Sequence, residues 1–404
     1  MNEGPLQGVR IADFTWAWAG AHAIALLAVM GAEAIKIESR QRLDHARVTS
    51  ITTGQRFTEP DRSWVFNNIN LNKLSVTLNL TQPKAVELAK RIVEVSDVVA
   101  QNMRPGVMDR LGLGYEALRE IKPDIIYLSS SAEGATGPQR SYTGYASNFA
   151  AIGGLSYITG YPDGWPADFR GEIDIMSATT STFAILAALN HRQRTGQGQH
   201  IDLSSSESVS VLIGDVLLDY TMNNRAQQRQ GNRDSFMAPH NCYRCQGEDK
   251  WISIAIADDQ EWQAFCEAMG NPDWAKDRRF SGGLSRHQHQ AELDELIETW
   301  TINHTHREAM EILQKAGVAA VPSFTSADLI PDPHLRERGF WLDVEHPVIG
   351  NTVVSAPPWK LSETPIEVRR HAPLIGEHNH YVFGELLGLP SAEIARLEEE
   401  GVIY

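Results

Sequence analysis

Asp174 stands directly ahead of a run of small and apolar residues, Ile175-Met-Ser-Ala-Thr-Thr-Ser-Thr-Phe-Ala-Ile-Leu-Ala-Ala-Leu189. A run of this kind predicts a helix, so the carboxylate meets the positive end of a helix dipole and the unpaired amides of a first turn. Two roles are open to it. It caps the helix, a position that favours Asp, or it is held ionised and serves as a nucleophile or base. Other chemistries find less support. The first strand–helix turn, Asp13-Phe-Thr-Trp-Ala-Trp-Ala-Gly-Ala-His22, lacks the G-x-G-x-x-G of a dinucleotide site. Cys242 and Cys245 form an isolated C-x-x-C, and Cys266 is the only other cysteine, short of the four ligands that structural zinc takes. Neither a metal site nor nicotinamide, flavin or nucleoside triphosphate chemistry is expected.

Such a carboxylate needs a scaffold, and the first half of the chain supplies alternating strand and helix signals. Strands are predicted at 9–15, 34–38, 73–80, 97–102 and 124–129, with helices at 19–30, 83–95 and 115–121. This alternation predicts an α/β fold built on a doubly wound, mostly parallel sheet of Rossmann-like kind. A large domain is expected over 1–225. A hairpin over 241–256, turning at Gly247 to Lys250, and helical stretches at 259–269, 287–300 and 306–316 predict a smaller α+β domain over 235–325. A C-terminal segment, 330–404, is expected to return to the large domain.

At 404 residues, the chain is long enough for two domains. A net charge of −15 speaks against nucleic acid or an anionic membrane as a general partner. The N-terminus shows no signal-peptide pattern, and Ala23–Ala32, read as the longest apolar stretch, is too short to span a bilayer. A cytoplasmic location is the expectation.

Seven segments in order along the chain carry a resemblance: Gly8–Thr15, Gly31–Glu38, Asn70–Val76, Asn102–Gly112, Ala187–Asp202, Asp332–Gly339 and Ala372–His378. Together they resemble the family III CoA-transferases, the group of formyl-CoA transferase and carnitine CoA-transferase. The resemblance implies that Asp174 is the nucleophile. It would attack an acyl-CoA to give a mixed anhydride and then an aspartyl-CoA thioester, from which an acceptor acid takes the CoA. CoA is thus a substrate, with no permanently bound cofactor. The resemblance places CoA-binding residues at Ala19, Arg40, Asn72, Lys73, Asn102 and Arg110, and implies an interlocked homodimer. The expected partners are an acyl-CoA, with succinyl-CoA favoured as donor, and a carboxylic acid.

Three departures from the family pattern bear on the substrate. Trp18 replaces a glutamine beside the active site and could shape an apolar acyl pocket or be an ordinary core residue. Ser39 replaces the arginine that follows Lys-Ile-Glu, moving the cation to Arg40. The Gly-rich loop of formyl-CoA transferase has no counterpart near Gly231 to His240, which argues against a formyl or oxalyl substrate. Arg47 in the substrate pocket, with Arg40, Arg42 and Arg140, could meet the second carboxylate of a dicarboxylic acid. An α-methylacyl-CoA racemase is the main alternative, but its second acid–base histidine is Tyr145 here. A non-catalytic subunit of a hetero-oligomeric transferase is the other.

Overall fold

The computed structural model describes residues 4–50 and 53–404. The chain divides into two compact units. One comprises Met1–Ser156, Asp168–Ala226 and Leu335–Tyr404, and the other Tyr157–Ala167 and Gln227–His334. The second unit thus also takes Tyr157–Ala167, a segment expected in the large domain.

The first unit is built on six parallel strands, β1 (Arg10–Asp13), β2 (Glu33–Glu38), β3 (Leu74–Thr77), β4 (Val98–Gln101), β5 (Ile126–Ser131) and β6 (Gln199–Ser204), in the order β3-β2-β1-β4-β5-β6. The central strands β1 and β4 are short and buried on both faces, as parallel strands covered by helices must be. On one face the helix Pro83–Glu94 packs Leu88, Ala89, Ile92 and Val93 against Ala12, Ile35, Val76 and Val99, joined by Val382 and Phe383 from the C-terminal segment. On the other, Ile24, Leu27 and Ala28 of the helix Ala19–Val29 share a cluster with Ile11, Ala34, Val98 and Leu128. Strand order reverses between β1 and β4, the switch point at which doubly wound sheets open a crevice beyond their carboxyl ends.

The Asp174 helix runs Gly171–Thr195, with Gly196 closing it in the left-handed conformation (φ 73°). Its small residues Ser177, Ala178, Ser181 and Thr182 are buried, and the Thr182 hydroxyl donates to the Ala23 carbonyl (3.2 Å). Short side chains let this helix lie close on Ala19–Val29. Among the described residues it is also the one helix long and apolar enough to cross a membrane. Its packing against Ala19–Val29, with Ile185 and Ala188 in the core, accounts for that composition.

In the second unit, β7 (His240–Arg244), β8 (Trp251–Ala255) and β9 (Ala319–Pro322) form an antiparallel sheet. Helices Asp259–Ala268, Gln290–Thr301 and His306–Lys315 bury Trp262, Phe265, Leu293, Ile297 and Leu313 against its inner residues Tyr243, Ile252 and Ile254. The C-terminal segment returns to the first unit as a hairpin, β10 (Trp341–His346) with β11 (Gly350–Ser355), whose Val354 packs on Val29 and Leu71.

Candidate active site

The site grows from the loop that follows β1. Asp13 ends the strand fully buried, and its Oδ1 accepts the Thr15 amide (2.9 Å) while its Oδ2 accepts Lys73 Nζ (2.8 Å). Lys73 also donates to the Ala21 carbonyl (2.7 Å), and Lys36 Nζ to the Thr15 carbonyl (2.7 Å). Lys36 is paired in turn with Asp44 (2.9 Å), whose Oδ1 accepts the Ala17 amide (2.8 Å). Buried charges are tolerated only when paired and hydrogen-bonded, and here each pair also holds loop backbone. The network fixes residues 13–17 in one conformation, including Ala17 in the left-handed region (φ 59°).

Across the switch point, Asn102 clamps the same loop: Oδ1 accepts the Trp16 amide (3.0 Å) and Nδ2 donates to its carbonyl (2.8 Å). Gly20 makes room, since a Cβ there would fall 2.9 Å from the Asn102 side chain. The loop thereby presents Trp18 at the start of the helix Ala19–Val29. The six-membered ring of its indole rests on Gly171, where an added Cβ would lie 3.1 Å from Cη2. Trp18 Nε1 is buried with no hydrogen-bond partner among the described residues.

Gly171 opens the Asp174 helix, four residues earlier than the sequence suggested. Asp174 is therefore not the cap. It lies within the first turn, half-buried, and Arg170 holds the cap position without a side-chain capping bond. The expectation that the helix end keeps this carboxylate ionised is also overturned. Burial, followed by the neighbouring Glu172 carboxylate, pushes Asp174 up from the ordinary 3.8 to about 7. That rise amounts to about 4 kcal/mol, against about 0.3–1 kcal/mol for a charge at a helix end. Desolvation wins.

The helix Ala146–Ile152 adjoins this turn through a cluster of Ala146, Phe149 and Ile173. Tyr145 precedes it; its amide donates to Asn148 Oδ1 (3.0 Å) and its side chain is 80% exposed. Arg40 follows β2 and is exposed, donating to the Ile375 carbonyl (3.0 Å). Arg110 closes the short helix Val107–Arg110 beyond β4, also exposed. Arg42 stacks its guanidinium over the Trp16 ring (4.6 Å). Arg40, Arg42, Trp16 and Ala19 thus follow the carboxyl ends of β1 and β2 in the chain, and Arg110 follows β4 by way of a loop and a short helix.

Three expected ligand-facing residues are turned inward. Lys73 is fully buried, and burial draws its pKa down to about 8 despite Asp13. Asn72 (φ 64°) uses its side chain on backbone, donating to Glu367 and accepting from Arg369 and Arg370, which pins the C-terminal segment. Arg47 is fully buried over the Phe66 ring and committed to Glu38 (2.8 Å, twice), Asp61 (2.7 Å) and the Pro373 carbonyl (3.0 Å). A guanidinium so engaged is a structural tie. The residues without a sequence signal are Gly171, an ordinary glycine until Trp18 is seen against it, and His22. Burial and then the Lys73 charge pull His22 down to about 4, and its Nδ1 is buried without a partner among the described residues.

The family model of CoA-transferase family III matches residues 6–379. The succinyl-CoA–D-citramalate CoA-transferase of Chloroflexus aurantiacus is 34% identical over 400 residues, covering 99% of this chain and 98% of that protein. The beta subunit of the succinyl-CoA–L-malate CoA-transferase of the same organism is 31% identical over 404 residues, covering 99% and 98%. Among solved structures, a CAIB/BAIF family protein from Brucella suis has a TM-score of 0.86 and 29% identity, covering 95% of this chain and all of that one.

Proposed function

The chain belongs to CoA-transferase family III, and on that premise we propose that it moves CoA from succinyl-CoA to a small dicarboxylic or hydroxy-dicarboxylic acid through a thioester on Asp174. The observation that carries the reading is the half-buried carboxyl of Asp174 in the first turn of a long helix whose first residue, Gly171, lies against the Trp18 ring. The names of the two Chloroflexus relatives, which pair succinyl-CoA with citramalate and malate, support the substrate class.

In the reaction, a carboxylate oxygen of Asp174 attacks the thioester carbonyl carbon of the donor. The C–S bond breaks, giving a mixed anhydride and CoA thiolate. The thiolate then attacks the aspartyl carbonyl, expels the donor acid as its carboxylate and leaves aspartyl-CoA. An acceptor carboxylate runs the same two exchanges in reverse and departs as its CoA thioester. Covalent capture divides one hard exchange into easier ones, and the first-turn amides are suited to developing oxyanions. Arg40 and Arg110 would meet the CoA phosphates, while Ala19 and Asn102 line the approach at the switch point. Lys73 and Asn72 serve by holding the floor beneath it. Tyr145 stands where the racemases carry their second acid–base histidine, which weighs against racemisation.

A homodimer belongs to the same reading. The helices Ser205–Leu212 and Gly214–Asn223 expose Val211, Leu212, Leu217, Leu218, Tyr220 and Met222, an apolar surface of the kind that marks an interface. Because two of the relatives are separate subunits, a second chain type is the competing assembly. The test of function is CoA exchange between succinyl-CoA and a panel of citramalate, malate, glutarate and monocarboxylic acids. New CoA esters of the dicarboxylic acids are expected, lost in Asp174→Ala. Exchange that persists in Asp174→Ala overturns the role of Asp174, and no exchange with any acid overturns the transferase reading.

A further inference from the structure

Resting on the transferase reading, we infer that Trp18 is a positioning residue that shields the Asp174 intermediates from water, acting through its contact with Gly171. Gly171 and Asp174 are three residues apart in one helix turn, so their side-chain positions neighbour each other on the helix surface. The Trp18 ring lies on Gly171 closely enough that an added Cβ would meet Cη2 at 3.1 Å and Cζ2 and Cζ3 at 3.4 Å. The indole therefore covers the helix surface next to the carboxyl group. Its position is fixed from behind by the buried charges and the Asn102 clamp that hold residues 13–17, and its flank packs against Ala21, Ala46 and Phe66. Its Nε1 has no hydrogen-bond partner among the described residues. Shape and contact, not a hydrogen bond, keep the ring there, although a buried indole N–H usually finds an acceptor.

The shield matters because both intermediates are prone to hydrolysis. Water attacking the acyl carbon of aspartyl-CoA breaks its C–S bond, releases CoA thiol and a proton, and restores the Asp174 carboxylate. Each such event turns a transfer cycle into net hydrolysis of the donor. The ratio of free CoA released to CoA ester formed therefore reads the shield directly, and a merely structural residue, whose loss lowers both products together, leaves it unchanged.

The experiment measures that ratio with succinyl-CoA and the best acceptor, alongside hydroxylamine trapping of the adduct. Trp18→Gln, which removes the ring, is expected to raise the ratio about tenfold. Gly171→Ala, which displaces the ring from the other side while introducing a better helix former, is expected to raise it by a smaller factor. It also carries the test if Trp18→Gln does not fold. Trp18→Phe, which keeps a ring on Gly171, is expected to hold the ratio near that of the unsubstituted protein. An adduct in every variant with an unchanged ratio overturns the shielding role alone. No transfer and no adduct in the unsubstituted protein overturns the transferase reading, and this one with it.

Discussion

The carboxyl of Asp174 has two environments acting on it in opposite senses. The helix start favours the charge, while burial and Glu172 oppose it more strongly and lift the group to about 7. A nucleophile must be ionised, so kcat/KM for the acyl-CoA is expected to rise with pH through about 7 and level off above it. The pH dependence of the single-turnover rate of aspartyl-CoA formation checks this; an acid limb near the ordinary carboxylate value contradicts it. The same shift bears on stability. The folded pKa is raised above the unfolded one, so ionisation disfavours the folded state. That cost is absent below the unfolded value, grows as pH rises from about 4 to about 7, and is full above. Asp174→Asn is therefore expected to be more stable than the parent at pH 8, by up to about 4 kcal/mol, and equal to it near pH 3.5. Denaturant melts at the two pH values measure the difference. A more stable but inactive variant is the signature of a site that trades stability for chemistry.

At the scale of elements, the loop between β1 and its helix does the positioning, and its support was only half legible in the sequence. Asp13 and Lys73 lie sixty residues apart, and no spacing rule joins them; only the sheet does, by carrying β1 and β3 on either side of β2. Lys73 was expected to bind CoA because the family resemblance places a CoA-binding residue there. The structure makes it the partner of a fully buried Asp13. Lys73→Met is therefore expected to destabilise the fold by about 3–5 kcal/mol by leaving Asp13 unpaired. If Lys73 were a surface phosphate ligand, the same substitution would raise KM for acyl-CoA and leave the melting temperature alone. The first five strands were readable because burial on both faces leaves their cores rich in apolar and β-branched residues. The sixth, Gln199–Ser204, was not: as an edge strand it alternates polar with apolar residues and lacks that signature. The start of the Asp174 helix was misplaced because Arg170-Gly-Glu offers no capping residue to mark it.

For the whole molecule, the placing of Tyr157–Ala167 in the second unit is a long-range matter that no local pattern announces. The apolar surface of Ser205–Asn223 likewise needs the fold to be seen, since only the fold shows that these apolar side chains are left exposed. Leu218→Glu places a charge on that surface. It is expected to convert a dimer into monomer or weaken its association by at least tenfold, about 1.4 kcal/mol or more, as read by sedimentation velocity; unchanged sedimentation contradicts an interface there. The most direct test of the central claim is covalent. The protein is incubated with succinyl-CoA alone, quenched with hydroxylamine, digested and mapped by mass spectrometry. The expected result is a hydroxamate on Asp174 and on no other carboxylate. An unmodified Asp174 under conditions of active CoA exchange, or a modification at another residue, contradicts it.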